Sequence, residues 1–204
     1  MASIGILGGS FNPIHLGHLL IGRAAAEAFA LDRVLLLPCS CSPFKIGAKD
    51  MASDTDRLEM VHLSIANDPL FEVSTLDLER GGISYAVDSV RALKSLYPEN
   101  EYSFIIGMDA LSGLPQWREI DVMLSLCEII TLERPGEPSR DQMLETLPFP
   151  KSVTKRLRNR IIRGPRSELS SSEIRRRIAQ GKSIRYLVCP EVEGYIQRRR
   201  LYSN

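Results

Sequence analysis

Unbroken apolar runs and helically spaced apolar positions alternate along most of the chain. Ser3–Leu7 (SIGIL) is strand-prone and stops at Gly8-Gly9, and from Gly17 the stretch GHLLIGRAAAEAFAL spaces Ala and Leu as a helix does. Val34–Leu37 (VLLL), ended by Pro38, has the continuous hydrophobicity of a parallel strand buried on both faces. A long connection over 38–53 follows, and Asp54 or Thr55 is placed to cap a helix through DRLEMVHLSIAN. FEVSTLDL (71–78) alternates like a strand, and SYAVDSVRALKSLYP (84–98) is helical up to Pro98. YSFIIGMD (102–109) and CEIITLERPG (127–136) read as buried strands, the second ended by Pro135-Gly136. Residues 137–160, polar and carrying Pro138, Pro148 and Pro150, read as an irregular excursion before a short strand in NRIIRG. SSSEIRRRIAQG (170–181) has a serine start and a glycine stop, and CPEVEGYIQRRRLY (189–202) is a last helix with basic final turns.

Strands alternating with helices predict an α/β fold: a Rossmann-like doubly wound parallel sheet with helices on both faces and a small helical C-terminal part. A length of 204 residues favours a single domain over 1–204, with 165–204 as that helical part. At 44% hydrophobic and 25% charged residues, the chain has ordinary globular composition and can bury a core without disulfides. Cys39, Cys41, Cys127 and Cys189 form no zinc pattern and read as free thiols of a reducing compartment. No secretory signal and no bilayer-length apolar run is visible, so the expected location is the cytoplasm, with no membrane contact. Charge is divided unevenly. Residues 1–150 carry 11 Lys and Arg against 21 Asp and Glu, whereas 151–204 carry 15 against 4. The last quarter therefore attracts anions, either nucleic acid or a phosphorylated small molecule.

The turn after the first strand carries the most specific chemistry. GGSFNPIHLGH (8–18) holds three glycines and two of the three histidines. Glycines let backbone N–H groups approach a ligand, and the following helix aims its N-terminus at the same place, which favours phosphate. His15 and His18, as H-x-x-H around the helix start, can reach one anion. A structural histidine beside a glycine turn and a metal pair are the other readings. No third metal ligand stands nearby, and two histidines favour phosphate. The G-x-G-x-x-G fingerprint of hydride-transfer enzymes and the Walker P-loop are both absent.

GGSFNPIHLGHL resembles the first signature of the nucleotidylyltransferase superfamily, G-x-F-x-P-x-H-x-G-H. LSSSEIR (169–175) resembles the second, close to I-S-S-T-x-I-R, in the right order and about 150 residues downstream. SYAVDSVRAL, FIIGMDALSGLPQWREI and IRYLVCPEVEGYI are each similar to segments of bacterial nicotinate mononucleotide adenylyltransferases. The resemblance implies transfer of AMP from ATP to nicotinate mononucleotide, giving nicotinate adenine dinucleotide and pyrophosphate for NAD biosynthesis. It makes His15 and His18 the catalytic histidines. It gives ATP and its phosphates Gly8, Gly9, Ser10, Phe11, Lys45, Gly107, Asp109, Ser171, Ser172 and Arg175. It gives the pyridine mononucleotide Ser84, Tyr85, Ala86 and Trp117, the last stacking on the ring. Mg²⁺ would arrive on the ATP phosphates without a protein cage.

Ordinary roles stand beside these: a solvated lysine for Lys45, a solvated arginine run for 175–177, core packing for Trp117, and a helix cap for Asp109. Two positions depart from the family pattern. Phe44 stands where many members have histidine, and Ala86 where they have a threonine that contacts the nicotinate carboxylate. Selection of the acid over the amide therefore rests on less than the reaction type does. The rival readings are a sister enzyme acting on nicotinamide mononucleotide or phosphopantetheine, and a non-catalytic nucleotide- or RNA-binding protein. The basic tail lacks the aromatic interleaving of an RNA surface, so nucleic acid is not the expected partner. The oligomeric state is open, a homo-oligomer included.

Overall fold

In the computed structural model, residues 1–47, 50–133, 140–165 and 167–203 are described. Their strands are β1 (Ser3–Gly9), β2 (Arg33–Pro38), β3 (Phe71–Val73), β4 (Glu101–Gly107), β5 (Glu128–Glu133) and β6 (Ile161–Arg163). They form one parallel sheet in the order β3-β2-β1-β4-β5-β6, the doubly wound arrangement expected from the pattern. Continuous apolar runs do what the pattern requires: Ile4–Leu7, Tyr102–Ile106 and Ile129–Leu132 are buried without alternation. Gly5 is needed inside β1, because a Cβ there would lie 2.8 Å from Leu31 Cδ1 and 2.9 Å from Ile105 Cδ1.

The helices are α1 (Leu16–Phe29), α2 (Asp54–Ile65), α3 (Leu76–Arg80), α4 (Ala86–Leu96), α5 (Met108–Gly113), α6 (Ile120–Leu126), α7 (Arg140–Glu145), α8 (Lys151–Arg158), α9 (Ser171–Ala179) and α10 (Pro190–Arg199). Several differ from expectation. The cap of α2 is Ser53, not Asp54 or Thr55: its hydroxyl accepts from the Asp56 N–H and donates to the Asp56 carboxylate, a reciprocal capping pair. Only Phe71–Val73 of FEVSTLDL is strand; from Leu76 the chain turns into α3, where an Arg80–Asp77 pair at i,i+3 outweighs the alternation. Within the stretch read as an irregular excursion, 140–145 and 151–158 are helical, as α7 and α8. Pro150, read as a breaker, sits at the N-cap of α8, where a missing N–H costs nothing. The strand stop at Pro135-Gly136 lies outside the described residues. Asp109 is inside the first turn of α5, whose cap position is Gly107, so its reading as a helix cap does not hold. The stop of α9 is as read: Gly181 has φ +65, a backbone region that glycine enters without strain.

The chain divides into two compact units. One comprises residues 1–7, 21–34 and 85–166, and buries Ile4, Ile6, Val90, Ile105, Leu111 and Ile130. The other comprises residues 8–20, 35–84 and 167–204, and buries Ile14, Leu36, Met60, Ile174, Val192 and Ile196. In this second unit α10 packs on α2, tied by Tyr195 Oη (2.9 Å) and Arg199 Nε (3.1 Å), both donating to Asp56. The Cys39, Cys41, Cys127 and Cys189 thiols are all free, and burial pushes that of Cys127 up to about 12, which makes it inert.

Candidate active site

β1 ends at Gly8-Gly9, and the chain then turns through Ser10-Phe11-Asn12-Pro13 with a cis Asn12–Pro13 bond and Phe11 at φ +45. Phe11 is nearly fully buried and its ring meets that of His18 edge-on at 5.1 Å. The His15 and His18 rings stack at 3.7 Å between centroids. The backbone N–H of His15 donates to Nδ1 of His18 (3.2 Å), which makes Nε2 the nitrogen that carries the proton of a neutral His18 ring. Gly17 has no room for a side chain: a Cβ would stand 2.9 Å from His15 Nδ1. At the start of α1 the Leu16 N–H is taken by the Leu187 carbonyl (3.0 Å), so the C-terminal region helps fix this helix end.

The other candidates of this unit gather on the same turn. Lys45 Nζ lies 3.4 Å from Ser10 Oγ, which also receives the Cys39 thiol at 3.6 Å. Burial raises the pKa of Cys39, which keeps that thiol protonated as a donor. The two distant signatures bond directly to each other. Ser171 Oγ donates to the Pro13 carbonyl (2.9 Å) and Arg175 Nη1 to the Asn12 carbonyl (2.8 Å). The hydroxyl of Ser171 is thus spent on backbone, while its N–H is among the first-turn N–H groups of α9, which have no intrahelical acceptor. Ser170 caps that helix through the Glu173 N–H, and Ser172 is exposed on its first turn.

The rest of the Arg175 guanidinium grips Asp50, with Nε at 2.8 Å and Nη2 at 2.5 Å from Oδ2, and this hydrogen bond holds the Asp50 carboxyl below its usual range. Asn12 is a hub that the sequence reading missed. Its Oδ1 accepts from Tyr202 Oη (2.7 Å) and the Ala52 N–H (3.0 Å), and its Nδ2 donates to the Asp50 carbonyl (2.9 Å). Phe44 is largely exposed. Ser84 is buried in this unit, with its N–H on the Cys41 carbonyl (2.8 Å) and its Oγ accepting from the Ser40 N–H (3.1 Å).

The remaining pyridine candidates belong to the other unit. Tyr85 stands at the cap position of α4 and Ala86 is its first residue; the Asp88 N–H turns back to the Tyr85 carbonyl (3.1 Å), while the Ala86 and Val87 N–H groups precede the helical bonding pattern. The Arg118 guanidinium lies over the Tyr85 ring at 4.6 Å and contacts Asp88 (3.4 Å) and Glu119 (3.6 Å), while Arg91 pairs with the same two carboxylates. Trp117 is half-buried, and its ring and that of Phe104 form a T-shaped pair with centroids 5.8 Å apart. Gly107 ends β4, and the exposed Asp109 follows in α5. Among the described residues no three His, Cys, Asp or Glu side chains are grouped to hold a metal. Nor is any helix among them long and apolar enough to cross a membrane.

A doubly wound sheet whose first turn carries paired histidines, bonded to a downstream serine–arginine helix, defines a nucleotidyltransferase, and the cytidylyltransferase-like family matches residues 6–177. Similar relatives include proteins named "Probable nicotinate-nucleotide adenylyltransferase" from Roseiflexus sp. (43% identical, covering 98% of this chain and 98% of that one) and from Thermus thermophilus (39%, 98% and 98%). A solved structure of Plasmodium falciparum nicotinic acid mononucleotide adenylyltransferase complexed with NaAD shares the fold, with TM-score 0.77 and 21% identity over 99% of this chain and 98% of that one. The chain belongs to the bacterial nicotinate-nucleotide adenylyltransferases.

Proposed function

We propose that this chain transfers the AMP part of ATP to nicotinate mononucleotide in NAD biosynthesis, releasing pyrophosphate. The observation that carries the reading is the bonding of the second signature to the first: Ser171 and Arg175 reach the backbone of Pro13 and Asn12, beside His15 and His18. The nucleophile, a phosphate monoester, is already ionised at neutral pH. Its oxygen attacks the α-phosphorus, the bond to the bridging oxygen breaks, and that electron pair leaves on pyrophosphate. No side-chain base is needed. The protein has to align two anions and stabilise charge on the leaving group. The Nε2–H of His18, the Lys45 ammonium, the Phe11 N–H and the first-turn N–H groups of α9 are donors suited to that task. Arg175 joins them when polyphosphate displaces the exposed Asp50 carboxylate.

Mg²⁺ enters as the counter-ion of ATP. The donors around the first turn are cationic or N–H groups, which suit the phosphates rather than a bare cation. In the other unit, Trp117 offers a ring to stack on pyridine. The first-turn N–H groups of Tyr85 and Ala86 suit a carboxylate, and Asp109 suits ribose hydroxyls. The whole chain acts as one catalytic domain of the cytoplasm. Pyrophosphate release with ATP, Mg²⁺ and each candidate acceptor tests this. Nicotinate mononucleotide is expected to be the best acceptor. Equal kcat/KM with nicotinamide mononucleotide would overturn the preference for the acid. No turnover with any acceptor, with RNA binding that falls steeply with salt, would overturn the enzymatic reading.

A further inference from the structure

Arg57, on α2, is the largest side chain below 2% exposure among the described residues. Its Nη1 donates to the Ser10 carbonyl at 2.5 Å, and its Nη2 to the Cys39 carbonyl at 2.7 Å and to Asp54 Oδ1 at 2.7 Å. Its Nε has no hydrogen-bond partner among the described residues. Its counter-ion Asp54 is 49% exposed, so a fully desolvated guanidinium is matched by a carboxylate that remains largely in water. A buried charge in that position is a poor way to fill a core, and an apolar side chain would pack the same space at less cost. What the guanidinium does that an apolar group cannot is fix two peptide units by their carbonyls.

The first of those peptides joins Ser10 to Phe11. A trans peptide is planar, with its C=O and N–H pointing in opposite directions. Drawing the Ser10 carbonyl toward Arg57 therefore turns the Phe11 N–H away from Arg57. The same peptide is fixed from its other side by the buried Phe11 ring and the left-handed φ of +45. The second carbonyl belongs to Cys39, at the head of the connection that carries Lys45. The Cys39 N–H donates to the Gly9 carbonyl at 2.9 Å.

We propose that Arg57 is a positioning residue for adenylyl transfer. It orients the Ser10–Phe11 peptide so that the Phe11 N–H meets nucleotide phosphate, and it holds the Lys45-bearing connection in register with that turn. This rests on the reading of Gly8–Phe11 as the ATP-phosphate turn.

The test is steady-state kinetics on Arg57→Lys, which keeps the charge but cannot fork to two carbonyls, and on Asp54→Asn, which removes the carboxylate that anchors Nη2 and so loosens the fork. For Arg57→Lys, KM for ATP is expected to rise about tenfold, with KM for nicotinate mononucleotide within about twofold of wild type. For Asp54→Asn the rise should be about threefold. In the wild-type protein, a non-hydrolysable ATP analogue should shift the Phe11 amide resonance. A folded Arg57→Lys with wild-type KM for ATP would overturn the proposal, as would an equal rise in both KM values, the mark of a merely structural role. If Arg57→Lys does not fold, the outcome turns on Asp54→Asn and the Phe11 amide: an unchanged KM or an unmoved resonance overturns the assignment. A wild-type protein that turns over normally while the Phe11 amide stays unmoved refutes the role of Arg57 alone. A wild-type protein that neither binds ATP nor turns over refutes the phosphate reading itself, and the proposal with it.

Discussion

The phosphate candidates in residues 8–20, 35–84 and 167–203 are gripped through backbone. Ser10, Asn12, Pro13 and Cys39 each give a carbonyl to a side chain 18 or more positions away in sequence, and Arg57, which takes two of them, is fully buried. The pyridine candidates in residues 85–133 sit instead among Asp88, Arg91, Arg118 and Glu119, whose side chains are between 29% and 51% exposed. Exposed ion pairs contribute about 0–1 kcal/mol each and rearrange readily, whereas buried bonds to backbone fix geometry. The contrast matches the two tasks. Aligning phosphates for in-line transfer tolerates little displacement, while choosing a pyridine substituent is a matter of adjustable contacts.

The sharpest way to break that contrast is at the histidines. If His18 has the role proposed above, His18→Ala should lower kcat on the order of 10²–10³-fold with the fold intact. Single-turnover kinetics with circular dichroism check this, and a near-normal kcat would misplace the site. Gly17→Ala should lower kcat by about tenfold, because the new Cβ must push the His15 ring off its stack on His18. Thermal stability should fall by no more than about 1 kcal/mol, since the better helix propensity of alanine offsets part of the cost of moving the His15 ring. A larger loss of stability together with activity would mean that this turn is merely fragile.

A smaller effect is expected at Asp56. Burial alone would raise its pKa, but hydrogen bonds from Ser53, Tyr195 and Arg199 outweigh that and hold it below the ordinary value of 3.8. A carboxyl depressed on folding stabilises the native state above its unfolded pKa and loses that contribution as pH falls through the folded value. Asp56→Asn should therefore cost about 1 kcal/mol at neutral pH, and the gap to wild type should close below about pH 4 in urea titrations. A gap that persisted at low pH would assign the cost to packing. The smallest effect belongs to Arg118→Ala. KM for nicotinate mononucleotide should rise about threefold, with stability changed by less than about 0.5 kcal/mol. A large loss of stability there would remove the distinction between the two units.

The sheet was legible because buried parallel strands are continuous apolar runs, and such runs are hard to miss. The two signatures were legible because their residue types are unusual at those spacings. The unread parts share a physical cause. Arg57 lies in α2 among Asp56, Met60 and Val61, all buried. Its one outward sign was a charge at i−3 and i−4 from two apolar residues, a spacing that any helix edge also shows. The hub at Asn12 and the Asp50–Arg175 pair join residues 38 to 190 positions apart, and no local pattern encodes such a meeting. The helices over 140–158 were hidden by prolines that define their edges rather than forbid them.

The bond from Tyr202 to Asn12 has a consequence for how the protein is made. A ribosome delivers residues 8–18 well before four of the groups bonded to that turn, on Ser171, Arg175, Leu187 and Tyr202. Until those residues emerge, the turn has its braces from Asp50, Ala52 and Arg57, and it gains its full set of bonds only once α9 and the residues after it have been made.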